Sequence, residues 1–334
     1  MALSFNLVVE STARRDADDM FERKLSRAAH IAFFALVLVV ALVGLFPGCR
    51  NAPFYRMTNR ASMSLPLSRE GIVAYERGDL SLAEEKFEQA LRLNDSDIET
   101  NRYYGETLWK LGKRQKAMLV LREAAEKHGA VDAESSLYRS LGEKSLELDE
   151  SQEALQWANK IVDLTPKNSD GWALRGKVYR HMGRRREALS DFQRAAHFSI
   201  DDRELLREIA VLQGELNDFD SALATWQCLE KLYPTNHEPA EVFAGIGGAY
   251  AGLGLYLESE GAYAVAVRYA PEEPDYRVKL AEVLLARGED VRALAVIEEG
   301  RTITPESAVW DKLDAVAHAR TEQVAGSLNQ VERR

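Results

Sequence analysis

The chain has 334 residues, 46% hydrophobic and 29% charged, with a formal net charge of −10. That balance excludes a disordered polymer and a multi-span membrane protein, and the acidic excess argues against nucleic-acid binding through phosphate neutralisation. Two cysteines, Cys49 and Cys228, are too few for a disulfide framework or a structural zinc site.

Residues 1–27 read as an N-terminal tail ending in the basic cluster Arg23, Lys24 and Arg27. Ala28 to Cys49 carries no Asp, Glu, Lys or Arg, and Ile31 to Phe46 is almost wholly aliphatic or Phe. As a helix this run is long enough to cross a hydrocarbon core of about 30 Å, counting flanks and tilt. Two readings stand for it. Gly48-Cys49 resembles the end of a bacterial lipoprotein signal, with Cys49 the candidate lipidation site and Met20 an alternative start. The other is an uncleaved signal anchor, with its N-terminus in the cytoplasm because basic residues are more numerous before the segment than after it. Either way the body is expected outside the cytoplasmic membrane, at the cell envelope, with residues 50–63 as a polar linker.

From Ser64 the chain superimposes on itself with a period of 34 residues. Gly71, Gly105, Gly142, Gly176, Ala210, Gly247 and Ala281 form one small column, in steps of 34 broken by two steps of 37. Ala83, Ala117, Ala154, Ala188, Ala222, Ser259 and Ala293 form a second. Four residues further on runs a mostly bulky column: Phe87, Leu121, Ala158, Phe192, Trp226, Tyr263 and Ile297. Between the two helical stretches of each unit stand Gly78, Gly112, Asp149, Gly183, Asn217, Gly254 and Gly288, residue types that accept the left-handed backbone a sharp helix stop requires. Pro166, Pro234, Pro271 and Pro305 stop second helices. Seven helix-turn-helix units follow, at 64–97, 98–131, 135–168, 169–202, 203–236, 240–273 and 274–307, with short insertions after the second and fifth. One such unit cannot bury its apolar face alone, so units must stack. Ala308 to Leu328 supplies a cover, with Val309, Leu313, Val316 and Ala317 at helical spacing, before the tail to Arg334.

Trp172, Gly176, Tyr179, Ala188, Phe192 and Ala195 resemble the tetratricopeptide repeat, and the resemblance extends over about Ser64–Ser307. It implies an all-α, right-handed superhelical solenoid of about seven repeats. Ala158 and Ile161 depart from the pattern and make the third unit the weakest.

No catalytic or metal constellation emerges from the six histidines, and Gly245, Gly247 and Gly248 are helix glycines rather than a phosphate loop. Cys228 reads as a small buried hydrophobe. The resemblance implies a concave groove lined by the first helix of each unit, holding a partner peptide or helix. Arg102, Glu106, Trp109, Arg139, Glu143, Lys177, Arg180 and Arg207 should line it, followed by a smooth stretch of Ala244, Gly248, Ala251 and Gly252. Arg102–Glu106 and Arg139–Glu143 are i,i+4 pairs, whereas Lys177, Arg180 and Arg207 have no such partner and suggest an acidic ligand. The expected function is a non-catalytic interaction scaffold of the bacterial envelope, with no cofactor, no nucleic acid and no small-molecule substrate. The alternative is a regulatory or substrate-docking subunit for a separate catalytic chain.

Overall fold

The computed structural model describes residues 53–127 and 135–332, with side chains over residues 60–127 and 135–321. Among these residues all regular structure is helical. The helices are α1 Pro53–Glu76, α2 Leu80–Leu93, α3 Ile98–Lys110, α4 Arg114–Lys127, α5 Ser135–Glu147, α6 Ser151–Leu164, α7 Ser169–His181 and α8 Arg185–Phe198. There follow α9 Arg203–Glu215, α10 Phe219–Lys231, α11 Ala240–Gly252, α12 Tyr256–Tyr269, α13 Pro274–Ala286, α14 Asp290–Ile303 and α15 Ala308–Glu332. The chain forms two compact units, one reaching Lys113 and the other starting at Arg114. The expected membrane segment 28–49 lies outside the described residues, and among the described helices none is long and apolar enough to cross a membrane. Residues 53–63, expected as linker, are helical, because α1 runs unbroken from Pro53.

The turn inside each unit follows one backbone pattern. Gly183 has φ 73°, and the non-glycine equivalents Asp149 and Asn217 have φ 65° and 61°. The N–H of Gly183 donates to the Arg180 carbonyl at 2.9 Å, and the next N–H, that of Arg184, reaches back to Tyr179 at 2.8 Å. This is the Schellman arrangement, which satisfies helix-end carbonyls in the space of two residues. The same pair of bonds recurs around Gly78, Gly112, Asp149, Asn217, Gly254 and Gly288. Within each compact unit, a turn this short forces the two helices it joins to lie side by side.

Close approach then depends on the small columns. In the first compact unit a methyl group on Gly71 would fall 2.6 Å from the Phe87 ring. In the second, a methyl on Gly176 would lie 2.8 Å from Phe192, and one on Gly247 2.9 Å from Tyr263. Each glycine is thus the socket for the bulky residue 16 positions later. Ala154, Ala188 and Ala293 in the second column are fully buried, as are Phe192 and Ile297 in the bulky one. Ser259 takes an alanine's place there by donating its buried hydroxyl to the Gly247 carbonyl at 2.7 Å, which removes most of the cost of burying it. In the third unit Ala158 leaves the socket at Gly142 unfilled from within. Leu174 of the following unit fills it, with Cδ2 2.6 Å from where a Gly142 methyl would stand.

Polar side chains also bridge helices at the 16-residue spacing. Arg175 donates from Nε and Nη2 to Asp191 at 2.6 and 3.1 Å, and from Nη1 to Asn159 at 3.0 Å. Asp191 is only 3% exposed. In the first compact unit Lys86 and Glu70 form the same bridge with the signs exchanged, at 2.6 Å.

The end of the stack is held by a residue other than those expected. Trp310 is 1% exposed, its ring lies where a Gly300 side chain would project, and its indole N–H donates to Thr304 Oγ1 at 3.0 Å. Val309 and Leu313 pack beside it and Ala317 is fully buried. Val316, expected on the covered face, is 47% exposed, because the buried stripe of α15 runs through Trp310, Leu313 and Ala317.

Three stability predictions rest on this packing. Gly176→Leu should lower unfolding free energy by roughly 1–3 kcal/mol through overpacking against Phe192. Gly261→Ala, in α12 with nothing within 4 Å, should raise it by up to about 1 kcal/mol through helix propensity. Urea unfolding of both variants distinguishes the cases, and equal effects would refute the socket. Asp191→Ala should cost about 3 kcal/mol by stripping a half-buried guanidinium of its partner, and a loss below ~1 kcal/mol would mean that Arg175 finds water instead.

Candidate binding surface

The first helices of successive units carry the residues expected to line a groove. In the first compact unit Arg102 Nη1 donates to Glu106 at 2.8 Å, its guanidinium lying over the Tyr103 ring at 4.1 Å. Burial opposes the Arg102 charge, but Glu106 and Tyr103 outweigh it and hold the guanidinium pKa above its ordinary value. The i,i+4 pair is therefore present. Tyr75 donates to the other Glu106 oxygen at 3.1 Å, and Trp109 sits half-buried on the same helix.

The second compact unit differs from expectation. Arg139 bonds Asp170 of the next first helix at 3.3 Å. Lys177 Nζ donates to Glu204 at 2.9 Å, a hydrogen bond that holds the Glu204 carboxyl below the usual range. Arg180 is paired with Glu208, and Arg207 bonds both Glu208, at 2.5 Å, and Glu241, at 3.1 Å. So Lys177, Arg180 and Arg207, which have no partner four residues away, each have one 27 to 34 residues away. The reason is geometric: these side chains reach the carboxylates of the neighbouring repeat, Arg207 in addition to its own-helix neighbour Glu208.

A pocket of about 140 Å³ opens on this face where α5, α7 and α9 meet. Five carboxylates line it, those of Glu143, Asp170, Asp202, Glu204 and Glu208, against the cations Arg139 and Lys177. The lining is therefore acidic on balance, which reverses the basic character expected of the middle of the groove.

Further along, Ala244 and Ala251 pack half-buried against the cluster that contains Tyr263 and Leu280. Gly248 stands beside the Tyr263 hydroxyl, 3.3 Å from where its own methyl would be. Gly252 belongs to a different contact, since a side chain there would run into the Phe219 ring of α10. Cys228, expected in the core, is exposed: Trp226 and Leu229 take the buried face of α10 and leave Cys228 on the outer one. Among the described residues no three of His, Cys, Asp and Glu gather as a metal would require. Cys49 lies outside the described residues.

Sequence inspection misses three features of this surface and its support: the inter-unit ion pairs, the Tyr263 hydroxyl and Trp310. Only Trp310 leaves a trace in the repeat register, two residues into its helix as Leu205 and Val242 are in theirs.

Residues 68–131 and 244–308 match the tetratricopeptide repeat family. Among curated proteins, the chain is 24% identical over 164 residues to the BBSome complex member BBS4 homolog of Drosophila melanogaster, covering 46% of this chain and 33% of that one. It is 25% identical over 206 residues to human protein O-mannosyl-transferase TMTC1, covering 51% and 22% respectively. The chain thus spans a third or less of the length of these curated relatives. Among solved structures, PilF of Pseudomonas aeruginosa superimposes with a TM-score of 0.57 at 15% identity, over 67% of this chain and 99% of that one. A tetratricopeptide repeat protein from Parabacteroides merdae gives 0.52 at 17% identity, over 76% and 98%. At such identities the likeness speaks for the fold, and it agrees with the left-handed turns and glycine sockets described above. Residues 68–131 and 244–308 are thus tetratricopeptide repeats, and the helical architecture of the described residues is the fold of such repeats.

Proposed function

We propose that the chain is a non-catalytic scaffold that binds a protein partner along the first helices of its repeats, and that residues 28–49 tether it at a bacterial cell envelope. Tetratricopeptide repeats bind proteins or peptides, and the observation that carries the reading here is the pocket lined jointly by α5, α7 and α9. A site assembled from three successive units suits an extended segment, which meets one unit after another.

The charge of that lining revises the expected partner. An acidic segment would have to displace Glu204, Glu208 or Glu241 from the cations they hold. A segment bearing Lys or Arg instead meets a surplus of carboxylates, which favours encounter and register more than raw affinity. The tether rests on the uncharged run Ala28–Cys49 and the basic residues before it.

Pull-down from envelope extract, with the wild type and the Glu143→Gln/Glu204→Gln variant as paired baits, tests the surface. A partner held by the wild type should be held about five- to tenfold more weakly by the variant, and should be released as ionic strength passes roughly 0.1 M. Equal retention by both baits, or loss only with Lys177→Ala/Arg207→Ala, would return the choice to an acidic partner. Mass spectrometry of the mature N-terminus addresses the tether: a diacylglyceryl group on Cys49 means a lipoprotein, and an intact Met1 or Met20 start means an anchor.

A further inference from the structure

The sixth repeat departs from its neighbours on the groove face. Gly248 occupies the place held in other repeats by Glu106, Glu143, Lys177, Val211 and Glu282. One turn to either side, Ala244 and Ala251 replace long side chains such as Arg207 and Arg180. Small residues alone would only make a smooth stretch. Beneath them, however, lies Tyr263, 6% exposed, its ring seated against Gly247 and its oxygen 3.3 Å from the position of a Gly248 methyl. Among the described residues the hydroxyl has no hydrogen-bond partner, and it is not sealed from solvent. A phenol with no protein partner and open to solvent bonds water in the free protein, and it can donate instead to an acceptor that displaces that water.

We infer that Ala244, Gly248, Ala251 and the Tyr263 hydroxyl form a subsite that takes the main chain of an extended peptide, with a neutral carbonyl oxygen accepting from Tyr263. This rests on the groove reading proposed above and names what one repeat contributes to it. Three features select that ligand. Without a side chain at Gly248, a ligand's main chain can approach the helix backbone and the Tyr263 hydroxyl closely. Burial, with the nearby Glu282 charge in support, pushes the Tyr263 phenol up to about 12, so it stays protonated and acts as a donor at physiological pH. Lys279 is already bonded to Glu282 at 2.8 Å, so its cation is engaged and is not free to attract a carboxylate ligand.

The test pans the full chain against a phage-displayed library of random peptides about twelve residues long, an extended reach of roughly 40 Å. Enriched peptides are then measured by fluorescence anisotropy on variants. Gly248→Leu should weaken binding at least about tenfold by filling the subsite, and Tyr263→Phe about three- to tenfold by removing one hydrogen bond. Gly261→Leu, on open helix surface in the same repeat, should change nothing. Replacing successive peptide amides by esters, which weakens each carbonyl as an acceptor, should expose one position whose penalty disappears in Tyr263→Phe. Gly248→Ala serves if the leucine variant fails to fold, with a smaller loss expected. Peptides that bind every variant alike overturn the subsite and leave the groove reading intact. Failure to enrich any peptide overturns both.

Discussion

The structure depends on one contact, repeated: a residue without a side chain on the first helix of a unit, and a ring or branched chain from the second helix pressed against its backbone. Gly71 with Phe87, Gly176 with Phe192 and Gly247 with Tyr263 show it without embellishment. Helix axes that come this close leave no room for water between them, so Phe87 and Phe192 are buried whole and the Tyr263 ring nearly so, each contributing about 1.5–3 kcal/mol. The sharp turn between the helices serves this contact, since a longer loop would let the pair splay. Where the contact cannot be made inside a unit, the next unit supplies it, as Leu174 does at Gly142. Stability is therefore shared between neighbours, which is the condition under which a linear array folds cooperatively.

The same side-by-side geometry sets the electrostatics. Basic side chains on one first helix meet carboxylates on the next, so Arg139 and Lys177 are neutralised across repeats, and Arg207 both across repeats by Glu241 and on its own helix by Glu208. Exposed pairs of this kind add little to stability. Their effect is on recognition, because they remove the free cations that an acidic ligand would need and leave carboxylates in excess around the pocket of α5, α7 and α9. In the sixth repeat Ala244, Gly248 and Ala251 carry no charge, so the subsite proposed there relies on shape and the Tyr263 donor rather than on electrostatics.

Much of this was open to reading from the amino acids alone. The period of 34 residues, the small and bulky columns and the left-handed turn residues all express constraints that act within a few residues or recur at fixed spacing. Asp149 and Asn217 could be assigned to turns without coordinates, because few other residue types accept that backbone. The Arg102–Glu106 pair was legible for the same reason: its members are one helical turn apart.

Tertiary structure alone decided which way each helix rolls about its axis, and everything that depends on that roll. Cys228 and Val316 lie outside rather than inside because Trp226, Leu229 and Trp310 claimed the buried stripes first. Gly252 backs onto Phe219, not onto the groove. Lys177, Arg180 and Arg207 find partners about thirty residues away, a distance at which periodicity says that two helices are neighbours but not which side chains meet. Local backbone chemistry is written in consecutive residues. The chemistry of a surface built from several repeats depends on rotations of a few tens of degrees, and those are settled only when neighbouring units pack.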